Sequence, residues 1–285
     1  MINIHANIRS DEWEKFSALN FENNPDVVFN MNSSFFAFRY NWQIKTGSTT
    51  AFVGYCHNAS KREDDGLYSF KLEYNPNKVV LNDVDVLGKI LSFLFARKDL
   101  PLENVRVKSV DVAYDLEHPI SAFIVDKGLK RDMRFFKGTM YFGEATNGVK
   151  IYDKQKEFKE KQGIELDNPL TRYEMRMVLD AKIDMLLNNI NLCPYLDVLL
   201  AGMPTLYLYG NDLFLDSKDR AIILGLREEP CLINSFSYRS KIKYKKILEE
   251  YGSFHPSSKS VNQCICQYIK DLHSLICASF VYSLT

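Results

Sequence analysis

Hydrophobic and polar positions alternate through most of the first 180 residues. Residues 35–44 (FFAFRYNWQI) and 49–56 (TTAFVGYC) keep a period of two and are joined by the short polar connection KTGS. That pattern predicts two half-buried strands in a hairpin. The alternation breaks at KREDDG and resumes in LYSFKLEYNP, where Pro76 ends the strand because it has no amide hydrogen for a ladder. Residues 84–98 (VDVLGKILSFLFARK) carry apolar positions at helical spacing. Residues 104–119 read as a long strand, and ISAFIVDKGL after Pro119 as a short helix. Residues 135–142 and 148–153 predict strands on either side of ATNG, which holds the Asn-Gly turn pair, and residues 172–179 (RYEMRMVL) predict one more. From about Ala181 the character changes. KIDMLLNNI, DVLLAGM, SKDRAIILGL, KYKKILEEYG and SVNQCICQYIKDLHSLICASFVYSL all favour helix. The expectation is an α+β fold, with an antiparallel-sheet domain over residues 1–180 and a mostly helical region over 181–285.

Composition narrows this picture in a few respects. The chain has 285 residues, 46% of them hydrophobic and 25% charged, which suits a globular protein with a full core. Aromatic residues reach 13%. Strands favour them, and some rings are also suited to stacking on unpaired bases. The formal net charge is zero, so no overall basicity points to nucleic acid. Basic residues are nonetheless concentrated in the lysine-rich segment 150–161 and in RSKIKYKK at 239–246. Each is read either as a solvated face or as a local phosphate-binding surface. In the second case Lys241, Lys243, Lys245 and Lys246 track phosphates along a helix. The six cysteines include no CxxC pair, so a zinc site is not expected. No secretory signal and no apolar run of about 18 residues is visible. These features predict a cytoplasmic protein with free thiols and no membrane span.

Four strings put a functional group into an otherwise apolar strand: FKLEYNP with Glu73, VKSVDVAYD with Asp111, VKIYDKQKE with Lys154, and RYEMR with Glu174. A carboxylate on a buried strand face is costly unless paired or bound to metal. Three such strands could gather oxygen ligands for a hard cation such as magnesium or manganese. The alternative is that all three acids face solvent on a half-exposed sheet.

The order of these strings resembles that in plasmid rolling-circle replication-initiation factors, in the related conjugative relaxases, and in filamentous-phage gene II replication proteins. In those families an acidic strand ending near proline precedes an (R/K)xxDxxxD-like strand, then a YxKxxE string and an RxE strand. Here they stand as LEYNP, KSVDVAYD, YDKQKE and RYE over residues 65–180, with a weaker echo to about residue 250. The resemblance implies site-specific nicking of DNA. A tyrosine oxygen attacks a phosphodiester, keeps the 5′ phosphate as a phosphotyrosine ester and frees a 3′ hydroxyl to prime synthesis. It assigns the nucleophile to Tyr152 and the metal ligands to Glu73, Asp111 and Glu174, with Mg2+ or Mn2+ as the ion. Asp115 and Glu157 rank behind them. Lys154, two residues beyond Tyr152, is expected on the same strand face, where it would stabilise the phenolate.

The family's His-hydrophobe-His metal pair is absent, since no two of His5, His57, His118, His255 and His273 are separated by one residue. His118 is either a fourth ligand or a loop residue before proline. Tyr141 and Tyr114 are the alternative nucleophiles, and Tyr141 is otherwise a strand aromatic. The implied partners are origin DNA, unpaired at the nick, and a host helicase and polymerase. A conjugative relaxase with the same chemistry and a non-catalytic DNA-binding protein on the same fold are the competing readings.

Overall fold

The computed structural model describes residues 2–9, 27–31, 38–46, 49–57, 67–75, 105–129, 132–144, 146–188, 191–209 and 215–282. Antiparallel strands fill the first part of the described chain and helices the last, so the fold is α+β. The chain divides into two compact units. The first comprises Met1–Asp111, Val178–Asn191 and Gln263–Thr285; the second comprises Val112–Met177 and Leu192–Asn262. The units interleave along the sequence, and residue 180 lies inside a strand.

In the first unit, β1 (Ile2–Arg9), β2 (Val27–Met31), β3 (Phe38–Thr46), β4 (Thr49–His57) and β5 (Leu67–Tyr74) precede β6 (Arg106–Leu116). The sheet order is β2-β3-β4-β5-β1-β6. The predicted hairpin is β3 and β4, with Thr46 opposite Thr49. Ala51, Val53, Phe70 and Leu72 are fully buried, and Phe52, Ser69, Lys71 and Glu73 beside them are less so, as the period of two requires. The helix expected over 84–98 and the strand stop at Pro76 lie outside the described residues.

The second unit continues from the end of β6. A single 3-10 turn at Ile120–Ala122 leads into β7 (Phe123–Asp126), all four of whose residues are buried. The short helix expected here is therefore a strand. A brief apolar run fits a buried strand as well as a helix. Pairing with β12 (Thr205–Leu208), itself paired to β13 (Ser253–Phe254), decides it.

Next come β8 (Met133–Phe136), β9 (Thr139–Phe142) and β10 (Val149–Asp153). The run expected as one strand over 135–142 is thus folded back on itself. Lys137 and Gly138, with φ of 49° and 79°, make a two-residue turn between Phe136 and Thr139. Two positive φ angles give the twist that a tight hairpin requires. α1 (Lys154–Gln162) begins directly after β10. Asp153 caps it by accepting from the Lys156 amide at 2.9 Å, and Gly163 ends it with a φ of 69°.

β11 (Thr171–Lys182) follows, giving the order β6-β11-β10-β9-β8 in this unit. α2 (Ile183–Leu187) belongs to the first unit. α3 (Cys193–Ala201), α4 (Ser217–Glu228) and α5 (Tyr238–Glu249) lie in the second, and α6 (Ser258–Tyr282) runs on into the first. These match the five helical stretches read after residue 181. Ile223, Leu226, Tyr244 and Leu248 bring α4 and α5 into one core with Ile124 of β7 and Tyr207 of β12.

Candidate active site

The sheet of the second unit has one buried and one open face. Val149 and Ile151 of β10, Met140 and Phe142 of β9, and Tyr173, Met175 and Met177 of β11 point into the core. The residues between them point out. Two cross-strand rows result. One runs Arg134–Tyr141–Lys150–Glu174 and the other Phe136–Thr139–Tyr152–Arg172. Directly opposed side chains share a face, and diagonal neighbours in adjacent strands are within reach of long side chains.

Tyr152 and Glu174 are such a diagonal pair. The Tyr152 hydroxyl donates to Glu174 Oε2 at 3.2 Å, while Lys150 donates to Glu174 Oε1 at 3.0 Å. Together with Tyr141, Thr139 and residues of α1, they line an open cleft of about 320 Å³. Lys137, Lys150, Lys156 and Lys161 rim it, against the carboxylates of Asp153, Glu157, Glu160 and Glu174. Arg172 stands opposite Tyr152, and Asp115 grips its guanidinium in a two-point ion pair at 2.6 and 2.5 Å. Asp115 thus orients an arginine.

Burial pushes the Tyr152 phenol well above the usual tyrosine range, and the Glu174 and Glu157 carboxylates push it further. Arg172 works in the other direction. The phenol therefore stays protonated near neutral pH and needs an acceptor before it can attack anything. Glu174 Oε2 is already at hydrogen-bond distance.

Lys154 does not extend the strand. β10 ends at Asp153, so Lys154 opens α1 and strand alternation does not set its direction. Its ammonium lies 5.9 Å from the centre of the Tyr152 ring and 4.6 Å from that of Phe158, and it pairs with Glu157 at 2.5 Å. Burial raises the Glu157 carboxyl, but hydrogen bonds from Lys154 and Lys161 prevail and hold it down to about 2.

Glu73 and Asp111 belong to the first unit. Glu73 stands opposite Asn3 on β1, and Asn3 opposite Ser109 on β6, two residues before Asp111. The two acids therefore share a sheet face with a strand between them, about 10 Å apart laterally. Glu73 is ion-paired with Lys71 at 2.7 Å. Among the described residues, no three His, Cys, Asp or Glu side chains gather as a metal cluster would. A hard divalent ion takes six or more oxygens. In the second unit both oxygens of Glu174 are engaged, and the second-rank candidates Asp115 and Glu157 are held by Arg172 and by Lys154 and Lys161, so this unit alone does not fit such an ion. His118 is exposed, and its ring packs edge-on to Phe123 at 5.9 Å.

Of the alternative tyrosines, Tyr114 alternates with Asp115 to the inner side, packs on Phe254 at 5.2 Å and hydrogen-bonds Ser260 at 2.6 Å. Tyr141 shares the outer face and the cleft with Tyr152.

The basic run on α5 has a different task from either one expected. Lys241 (2.5 Å) and Lys245 both pair with Asp126, which is 1% exposed, and Lys243 pairs with Asp219 at 2.6 Å. Burial would raise the Asp126 carboxyl; hydrogen bonds from Lys241 and Lys245 outweigh that and hold it below the usual range. Three of the four lysines are thus structural ion-pair partners, and only Lys246 is left exposed without such a role among the described residues.

Sequence reasoning named Arg172 only as part of a motif and Lys150 only as the start of a basic run. The available signal was the period of two: Lys150 and Tyr152 share a face, as do Arg172 and Glu174.

No family model and no curated protein matches this sequence. Among solved structures, the chain is similar to a rolling circle replication initiator protein from Geobacillus stearothermophilus. That similarity has 12% sequence identity and a TM-score of 0.39, covering 80% of this chain and 94% of that one. A likeness of this degree assigns neither residues nor activity. Among the described residues, no helix is long and apolar enough to cross a membrane.

Proposed function

We propose that this chain initiates rolling-circle DNA replication by nicking one strand of an origin, with Tyr152 as nucleophile and Glu174 as its proton acceptor. The observation that carries this reading is the Tyr152–Glu174 hydrogen bond at 3.2 Å in an open, lysine-rimmed cleft. It coincides with the motif order by which the sequence resembles rolling-circle initiators.

Glu174 Oε2 takes the phenol proton as the Tyr152 oxygen attacks the scissile phosphorus. A phosphorus–oxygen bond to tyrosine forms and the bond to the 3′ oxygen breaks. The leaving oxygen takes a proton from water and becomes the 3′ hydroxyl. The 5′ phosphate stays on the enzyme as an ester, which conserves the bond energy for resealing. Arg172, opposite Tyr152 and fixed by Asp115, favours the anionic phenol. Lys150, Lys156 and Lys161 offer positive charge where negative charge builds up on the phosphoryl oxygens.

Magnesium or manganese is the ion that the sequence resemblance implies. An ion of this kind would polarise the phosphate, but among the described residues the expected ligands do not gather into a set that would hold it.

The test is a labelled single-stranded origin oligonucleotide incubated with the full chain and magnesium, then run on a denaturing gel. A slow-migrating covalent protein–DNA band is the expected result, and its loss in excess chelator would show that an ion takes part. An undiminished band in chelator would remove the ion from the reaction. No band at all on the chain's own origin would leave a DNA-binding protein without this chemistry.

A further inference from the structure

β8 is the outermost described strand of the second unit's sheet, and the sequence MRFFKG places two adjacent aromatic rings between two cations in an exposed position. Phe135 is 72% exposed and Phe136 60% exposed. The hydrophobic effect alone would not leave two adjacent phenylalanines in water. Lys137 holds its ammonium 5.4 Å from the centre of the Phe136 ring, and neither Arg134 nor Lys137 has a carboxylate partner among the described residues. Lys150, Lys156 and Lys161 each stand beside a carboxylate, whereas here two cations flank two bare rings.

The position relative to Tyr152 is set by register. Phe136, Thr139 and Tyr152 form one cross-strand row on one face. Two strand spacings separate the ring from the phenol, about 10 Å, which is the axial span of roughly three stacked nucleotides. Phe135 points to the other side of β8 and lines a mostly apolar groove of about 490 Å³ with Met140 and Pro230. That groove and the Tyr152 cleft share Gly138, Asp153 and Lys156 as walls. Glu228 and Glu229 also line the groove, where they would repel a phosphate and accept from the amino group of a base.

We infer that β8 is a platform for single-stranded DNA: Phe136 stacks a nucleobase about three nucleotides from the phosphate presented to Tyr152, Phe135 stacks one that passes over the edge of β8 into the groove, and Arg134 and Lys137 take the neighbouring phosphates. Rings stack on any base, so the platform grips an unpaired strand without reading its sequence. A duplex, whose bases are already stacked on each other, gains nothing from it. The inference rests on the nicking reading for the orientation of the strand, but not for the binding itself.

The experiment measures binding alone. Fluorescence anisotropy of a labelled oligo(dT) strand is followed with the full-length Tyr152→Phe protein as background, so no chemistry intervenes. Adding Phe136→Ala should weaken binding about tenfold, and Phe136→Trp should restore it. The salt dependence should not change with either substitution, because no phosphate contact is lost. Arg134→Gln with Lys137→Gln should instead flatten the salt slope by about 1.4, at about 0.7 per phosphate contact on a single strand. A strand of abasic sites should bind both the background protein and its Phe136→Ala form equally weakly. Unchanged oligo(dT) affinity in Phe136→Ala, or no measurable binding before substitution, overturns the platform. So does a Phe135→Ala, Phe136→Ala protein that binds normally but sediments as a smaller species, which would make β8 a contact between two copies of the chain. Failure of the covalent band with intact Phe136 dependence removes the nicking reading and leaves the platform standing.

Discussion

At the scale of single residues, the proposed chemistry depends on Tyr152 being hard to ionise. Its phenol is raised by burial and by two carboxylates, so at neutral pH the hydroxyl keeps its proton. The same carboxylate that raises it, Glu174, is the one placed to accept that proton. This predicts an unusual pair of effects for Glu174→Gln. Removing a negative charge should lower the Tyr152 phenol toward the usual tyrosine value, measurable by ultraviolet difference titration. Nicking should nonetheless fall by about 10²- to 10⁴-fold, because the proton acceptor is gone. A variant whose phenol ionises more easily and also nicks faster would show that Glu174 only hinders. The sequence indicated Tyr152 and Glu174 through motif order and did not pair them. Their diagonal contact depends on the β10–β11 register, and no local pattern specifies which residue of one strand faces which of the other. Lys154 was misplaced for a related reason: Asp153 is a good helix cap, and it ends the strand one residue before the alternation could have oriented the lysine.

At the scale of elements, two features of the second unit were invisible to periodicity. The turn at Lys137-Gly138 splits an apparent eight-residue strand into β8 and β9, and lysine is not among the residues that usually signal a hairpin turn. Gly138 adopts a φ of 79°, so Gly138→Ala should cost about 1 kcal/mol and lower the thermal midpoint. No change in midpoint would mean that the turn tolerates a side chain.

The second feature is the anchoring of α5. Lys241 and Lys245 converge on Asp126 of the buried strand β7, so a run of lysines that looks like a phosphate-binding face holds the core together. Replacing both with methionine leaves a buried carboxylate without a cation, and such losses cost about 3–5 kcal/mol. The double variant should melt markedly lower than the parent in calorimetry, and any loss of DNA binding should follow the loss of fold. A variant that melts normally yet fails to bind DNA would return these lysines to the phosphate-binding role. The sign of the pH effect follows from the depressed Asp126 carboxyl. Its contribution is full above the usual aspartate value of 3.8 and is lost as pH falls through its lower folded value.

At the scale of the whole molecule, the α+β class was legible because strands and helices segregate along the chain and their periods differ. The five helical stretches after residue 181 carry enough apolar spacing to be read one at a time. β7 and β12 were not legible as strands: each is a run of four residues whose identity is decided by the partner it pairs with, and those partners lie some 80 residues apart in sequence. The two compact units interleave because β6, β11 and α6 each contribute residues to both, and a left-to-right reading of composition has no means of detecting that.

If the Tyr152 oxygen becomes bonded to DNA, the covalent product can be isolated. Digesting the adduct formed on a single-stranded origin and sequencing the peptide by mass spectrometry identifies the modified residue, with Tyr152→Phe and Tyr141→Phe proteins run in parallel. The expected result is a nucleotide on Tyr152, an adduct with Tyr141→Phe, and none with Tyr152→Phe at unchanged DNA affinity. A nucleotide on Tyr141, or an adduct that persists in Tyr152→Phe, would contradict it.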